Sequence, residues 1–124
     1  MPKDRNFEIP FDDIKQAIEG DMEKLVTAAE KIGRYLASRK LSTSQIRNIF
    51  GEIKRMDASG YDHSRLILLK PRLAYAAGRH GGAVKDLQSI LVTAIDKVDN
   101  PDKFRNFVNF FEAILAYHRE AGGK

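Results

Sequence analysis

A chain of 124 residues, 43% hydrophobic and 31% charged, is long enough for one domain that buries about two thirds of its unfolded surface without staples. It has no cysteine, which excludes disulfides, thiolate metal sites and cysteine nucleophiles and fits a reducing compartment. The net charge of +4 is uneven: residues 34–79 hold ten Lys or Arg against Glu52, Asp57 and Asp62, a balance of +7, and the rest of the chain stands at −3. Such a block is the footprint of a polyanion-binding surface, or simply a solvated basic face.

In chain order, MPKDRNFEIPFDD mixes charges and holds no continuous apolar segment, so no secretory leader is expected. No later run approaches the ~18 uninterrupted apolar residues of a membrane span, and a soluble, cytoplasmic protein is the expectation. Residues 1–20 read as a partly ordered N-terminal segment, with one short helix over 11–19, and residues 21–124 as a helical bundle domain. From Glu23 to Ser38, the residues Leu25, Ala29, Ile32 and Leu36 fall on one stripe of a core-facing helix. LSTSQI then signals a helix start, with Ser42 as cap, Gln45 reaching back and Leu41 placed to staple against Ile46. That helix is expected to run to about Met56.

After the loop DASGYDH comes LILLKPRLAYAAGR, residues 66–79, in which Pro71 must kink a helix or begin one. GRHGG breaks the chain again. Val84 to Val98 is amphipathic through Leu87, Ile90, Leu91 and Ala94. Asn100 followed by Pro101 opens a last helix that ends near Glu120, before Gly122 and Gly123. No segment alternates with the period of a strand. The expected fold is all-α, a single-domain bundle of about five helices, one with an internal proline.

Helical geometry sorts the charges. In the second helix Ile46, Ile49, Phe50, Ile53 and Met56 cover one arc, and Arg47, Gly51, Lys54 and Arg55 the opposite, solvent-facing one. Gly51 costs about 1 kcal/mol relative to alanine in a helix interior. It either packs against another helix or leaves room for a phosphate backbone between the basic residues. Further on, Arg65, Arg72 and Arg79 line up a third of a turn from the apolar face of Leu66, Leu69, Leu73 and Ala77, and Lys70 points elsewhere. Tyr75, alongside that line, either packs, the more ordinary role, or stacks on an unpaired base.

The last helix carries an apolar arc of about half its circumference, from Phe104 to Tyr117, wider than the ~100° stripe a small bundle needs. Phe110 and Tyr117, at its edge, are candidates for a subunit contact unless a larger internal core covers them. Catalysis leaves no comparable trace. His63, His80 and His118 have no partners at metal-ligand spacing, and His118 on the apolar arc reads as a partly buried structural histidine. GRHGG lacks the remaining features of a phosphate loop, and Asp12/Asp13 and Asp96/Asp99 read as capping and solvating residues. No enzyme, metal or cofactor is expected.

Together, LSTSQIRNIFGEIKRM, LILLKPRLAYAAGR and FRNFVNFFEAILAYHREAGGK, in this order, resemble the small subunit of the type III-A CRISPR effector, the Csm complex. The likeness covers roughly residues 21–124. It implies a helical, non-enzymatic protein that stacks in copies as the inner filament of an RNA-guided complex, beside other Csm subunits, lining the groove that holds guide RNA and target RNA. The family's basic positions carry over to Lys54 and Arg55 in IKRM, to Lys70, Arg72 and Arg79 in LKPRLAYAAGR, and to Arg47 in QIRNIF, with Lys70 off the arginine line unless Pro71 rotates the turn. The mechanism expected is sequence-independent contact with the RNA backbone, specificity coming from guide–target pairing. The competing expectation is a helical scaffold whose basic face binds an acidic protein partner. Self-association, as a dimer or a filament, is expected from the last helix; no membrane contact is.

Overall fold

The helix boundaries follow from local chemistry that the chain carries in plain sight. The computed structural model describes residues 7–124, and among these it contains seven helical segments and no strand. They are α1 (Phe11–Glu19), α2 (Met22–Ser38), α3 (Thr43–Ser59), α4 (His63–Ile67), α5 (Leu69–His80), α6 (Ala83–Ile95) and α7 (Pro101–Glu120). Asp21 caps α2 by accepting from the Lys24 N–H at 3.1 Å. Ser42 and Gln45 form the reciprocal capping box at the start of α3, each bond at 3.1 Å. Asn100 accepts from the Lys103 N–H at 2.8 Å, with Pro101 as the first residue of α7.

The all-α expectation holds, with more segments than the five or so anticipated. One reason is Pro71, the third residue of α5. It has no N–H to give the Ile67 carbonyl, and its ring crowds that carbonyl, so regular helix stops at Ile67 and resumes at Leu69. Leu68 between them keeps right-handed helical angles (φ −67°, ψ −12°), so a single residue separates the two segments. Asp62 adds α4 by capping it through the Arg65 N–H at 3.2 Å.

α7 lies at the centre, with α1, α2 and α3 packed around it, and α6 joins α1 and α5. Phe107, Phe110, Phe111 and Ile114 are fully buried there. Phe110 is therefore not available as the subunit contact expected of it. The wide apolar arc of α7 serves this chain's own core, because three helices cover it. Tyr117 is half-buried and packs against that core. Residues 11–19 also enter the core, through the buried Ile14, Ala17 and Ile18. The part of the expected N-terminal segment over residues 1–6 lies outside the described residues. Among the described residues no helix is long and apolar enough to cross a membrane.

The α2/α7 seam is the tightest approach. A Cβ on Gly33 would lie 2.8 Å from the His118 nitrogen, the Ile114 oxygen and the Tyr117 Cβ, so only glycine lets the two backbones come so near. His118 is fully buried, and its Nε2 donates to the Leu41 carbonyl at 2.7 Å. That bond fixes the tautomer and ties the end of α7 to the α2–α3 turn. The tail closes over the ring: the Gly123 N–H returns to the His118 carbonyl at 2.8 Å, and a Cβ at Gly123 would meet the imidazole at 2.1 Å.

Candidate nucleic-acid interface

Arginines from two parts of the chain, α3 and the α4–α5 stretch, meet at one cleft. α3 rests on α7 through the buried Ile46, Ile53 and Met56 and through an edge-on contact of Phe50 with Phe111, ring centres 5.3 Å apart. Its opposite face must then be the one carrying Arg47, Gly51, Lys54 and Arg55. α5 rests on α6 through Leu69, Leu73 and Ala77, which leaves Arg72, Tyr75 and Arg79 outside. Between them lies a cleft of about 270 Å³ lined by Glu52, Arg55 and Met56 of α3 and by Arg65, Leu68, Leu69 and Arg72 of the α4–α5 stretch.

Glu52 organises this cleft. Its Oε1 accepts from Arg55 Nη2 at 2.9 Å and lies 2.8 Å from Arg72 Nη1, so one carboxylate oxygen links the two helices. The hydrogen bond from Arg55 is the largest influence on its carboxyl; burial opposes it, and with the charges of Arg55 and Arg72 added the carboxyl is held below the usual glutamate value. Arg65 is positioned by a 2.8 Å bond from Nη1 to Ser59 Oγ.

The sequence-derived candidates divide accordingly. Arg55 and Arg72 meet across the cleft. Arg47 stands two turns from Arg55 on the same ridge of α3, and Arg79 two turns beyond Arg72 on α5, and neither has an ion-pair partner among the described residues. Lys54 sits 3.9 Å from Asp57, with its ammonium 5.9 Å from the centre of the Phe50 ring. Asp57 is also held by Arg105 of α7 at 3.0 and 3.3 Å. Lys70 does not join the others: it pairs with Asp96 after α6, in line with its position off the arginine row.

Gly51 is not a packing glycine. A Cβ there would meet only Arg55 Nη1, at an ordinary 3.8 Å. Nor does Tyr75 pack; it is 71% exposed. Arg65, placed on the arginine line by the sequence, lines the cleft with Arg72, whereas Glu52 was missed, although its three-residue spacing from Arg55 on one helix was a usable signal. The acidic pairs are spent separately, Asp13 on Lys24 at 3.3 Å, Asp96 on Lys70 and Asp99 on Lys103 at 3.3 Å. Among the described residues no group of three or more His, Asp or Glu is placed to hold a metal ion.

A family model described as Csm2 Type III-A matches residues 19–124. The chain belongs to the Csm2 family. A relative from Streptococcus thermophilus, described as CRISPR system Cms protein Csm2, is 30% identical over 116 residues, covering 82% of this chain and 88% of the relative. No solved structure matches the chain. The Csm2 match spans α2 to α7 entirely, so both walls of the cleft lie within it. It identifies the chain as a small subunit of the type III-A Csm effector complex.

Proposed function

We propose that this Csm2-family subunit lines an RNA path in the cytoplasmic type III-A complex, gripping the backbones of guide and target RNA without reading sequence and without catalysing a reaction. The observation that carries the reading is the meeting of Arg55 of α3 with Arg65 and Arg72 of the α4–α5 stretch at one cleft, with Arg47 and Arg79 further along the same two ridges. Cations so arranged release counterions from a phosphate chain, which gives affinity that falls with salt and is blind to base identity. Arg47 and Arg79 have no carboxylate to give up first, and the open space at Gly51 allows a backbone to approach α3 closely. Lys54 adds charge at the margin, and Lys70 contributes least, since Asp96 already neutralises it. Copies stack along the RNA, with neighbouring Csm subunits completing the groove and Tyr117 at an edge of the copy–copy contact.

A second reading, an acidic protein partner on the same face, is favoured by Leu68, 63% exposed at the cleft. Photo-crosslinking in the assembled complex separates the two. With photoreactive uridines in guide and target, peptides from α3 and α5 are expected to carry RNA adducts. Adducts confined to other helices, together with protein–protein crosslinks at Arg55 and Arg72, would overturn the RNA reading.

A further inference from the structure

We infer that Tyr75 is a stacking platform for an unpaired nucleobase of the RNA held on this face, an inference that rests on the backbone-binding reading above. The other three tyrosines are occupied. Tyr35 donates to Asp86 at 2.8 Å and stacks on Phe7 with ring centres 4.0 Å apart. Tyr61 bonds His63 at 2.7 Å and packs on Phe104, and Tyr117 packs against the core. Tyr75 has neither hydrogen bond nor ring contact among the described residues and, unlike Tyr117, no cover from the core; it is the most exposed large hydrophobic side chain there.

Its neighbours on α5 suit a nucleotide. Arg72 lies three residues before it and Arg79 four after, so both guanidinium-bearing positions flank the ring on one face of the helix. Gly78, three residues on, is bare, with nothing within 4 Å of where a Cβ would stand, which leaves the approach to the ring clear. On the other side Pro71, four residues back, is rigid. An apolar protein surface laid on Tyr75 would have to desolvate Arg79 without pairing it, and Arg72 with only the carboxylate it shares with Arg55, at a cost that the ring's burial does not offset. A nucleotide meets both needs together: its phosphates pair with the arginines and its base supplies a π-face. A base within a duplex has both faces covered, so the ligand is an unpaired or splayed one. Stacking of this kind is indifferent to base identity, in keeping with a subunit that reads no sequence.

The test is a cycle on the assembled complex. RNAs that each leave one nucleotide unpaired, at successive positions along the bound strand, are compared with the same RNAs abasic at that nucleotide. For the position facing Tyr75, removing the base is expected to weaken wild-type binding about 5- to 100-fold. Tyr75→Ala should lose as much on the base-bearing RNA and nothing further on the abasic one, and Tyr75→Phe should behave as wild type. Equal effects of Tyr75→Ala on both probes at every position, or none on either, would overturn the platform. So would impaired assembly of the Tyr75→Ala complex without RNA, which would assign the ring to a protein contact. If the platform falls while abasic RNA still binds with an unchanged salt dependence, the backbone-binding reading stands by itself.

Discussion

Two mid-helix glycines, Gly33 and Gly51, separate the two working regions of this molecule. At the α2/α7 seam a Cβ on Gly33 would press into the α7 backbone at 2.8 Å; on the α3 face a Cβ on Gly51 would touch only the end of an arginine at 3.8 Å. Glycine is required at the first by the fold. At the second the fold makes no demand, and the bare position leaves room for something that approaches from outside. The seam is built of buried aromatics and a single-tautomer histidine; the cleft is built of charges that compete among themselves for partners.

The largest test of that contrast is Gly33→Ala. It should lower stability by about 1–3 kcal/mol through overpacking, seen as a fall of several degrees in the thermal midpoint, while the protein that remains folded binds RNA normally. Gly51→Ala should do the reverse, raising stability by up to about 1 kcal/mol from helix propensity and weakening RNA binding in the complex. A destabilised Gly51→Ala variant, measured by urea unfolding, would erase the distinction. Glu52→Gln sharpens the picture of the cleft. Removing the one carboxylate that Arg55 and Arg72 share should raise RNA affinity a few-fold at low salt and steepen its salt dependence, with little effect on stability.

The smallest effects are those of pH. Glu52 has a carboxyl value lowered by Arg55 and Arg72, so its stabilising contribution is complete above the ordinary glutamate value and is lost as pH falls through the lowered one. Burial first, then the bond to Asp86, raises the Tyr35 phenol; its contribution is complete below the ordinary tyrosine value and is lost as pH climbs through the raised one. Urea unfolding across pH should therefore show a shallower acid limb for Glu52→Gln and a shallower alkaline limb for Tyr35→Phe.

How much of this was legible in the residues depends on range. Caps act within four residues, so Ser42 with Gln45 and Asn100 with Pro101 announced α3 and α7 accurately. The basic and apolar faces of α3 were equally readable, because one helix fixes both. What escaped was set by partners far along the chain. Nothing local distinguishes Gly33 from Gly51, and nothing local says that three helices will cover α7 and take Phe110 inside. The Glu52–Arg72 and Lys70–Asp96 pairs join residues twenty and twenty-six positions apart, and only tertiary packing, such as that of α5 on α6, brings them together. For Tyr75 packing was the more ordinary of two readings, stacking on a base being the other, because most tyrosines of a small bundle find cover; α5 turns it outward.

The central claim, that cations on α3 and α5 hold an RNA backbone, is tested most directly by the salt dependence of RNA binding in complexes carrying Arg47→Ala and Arg79→Ala together. The account predicts a slope of log affinity against log salt shallower by about one to two units, with the same loss for unrelated guide–target sequences. A slope unchanged from wild type would contradict it.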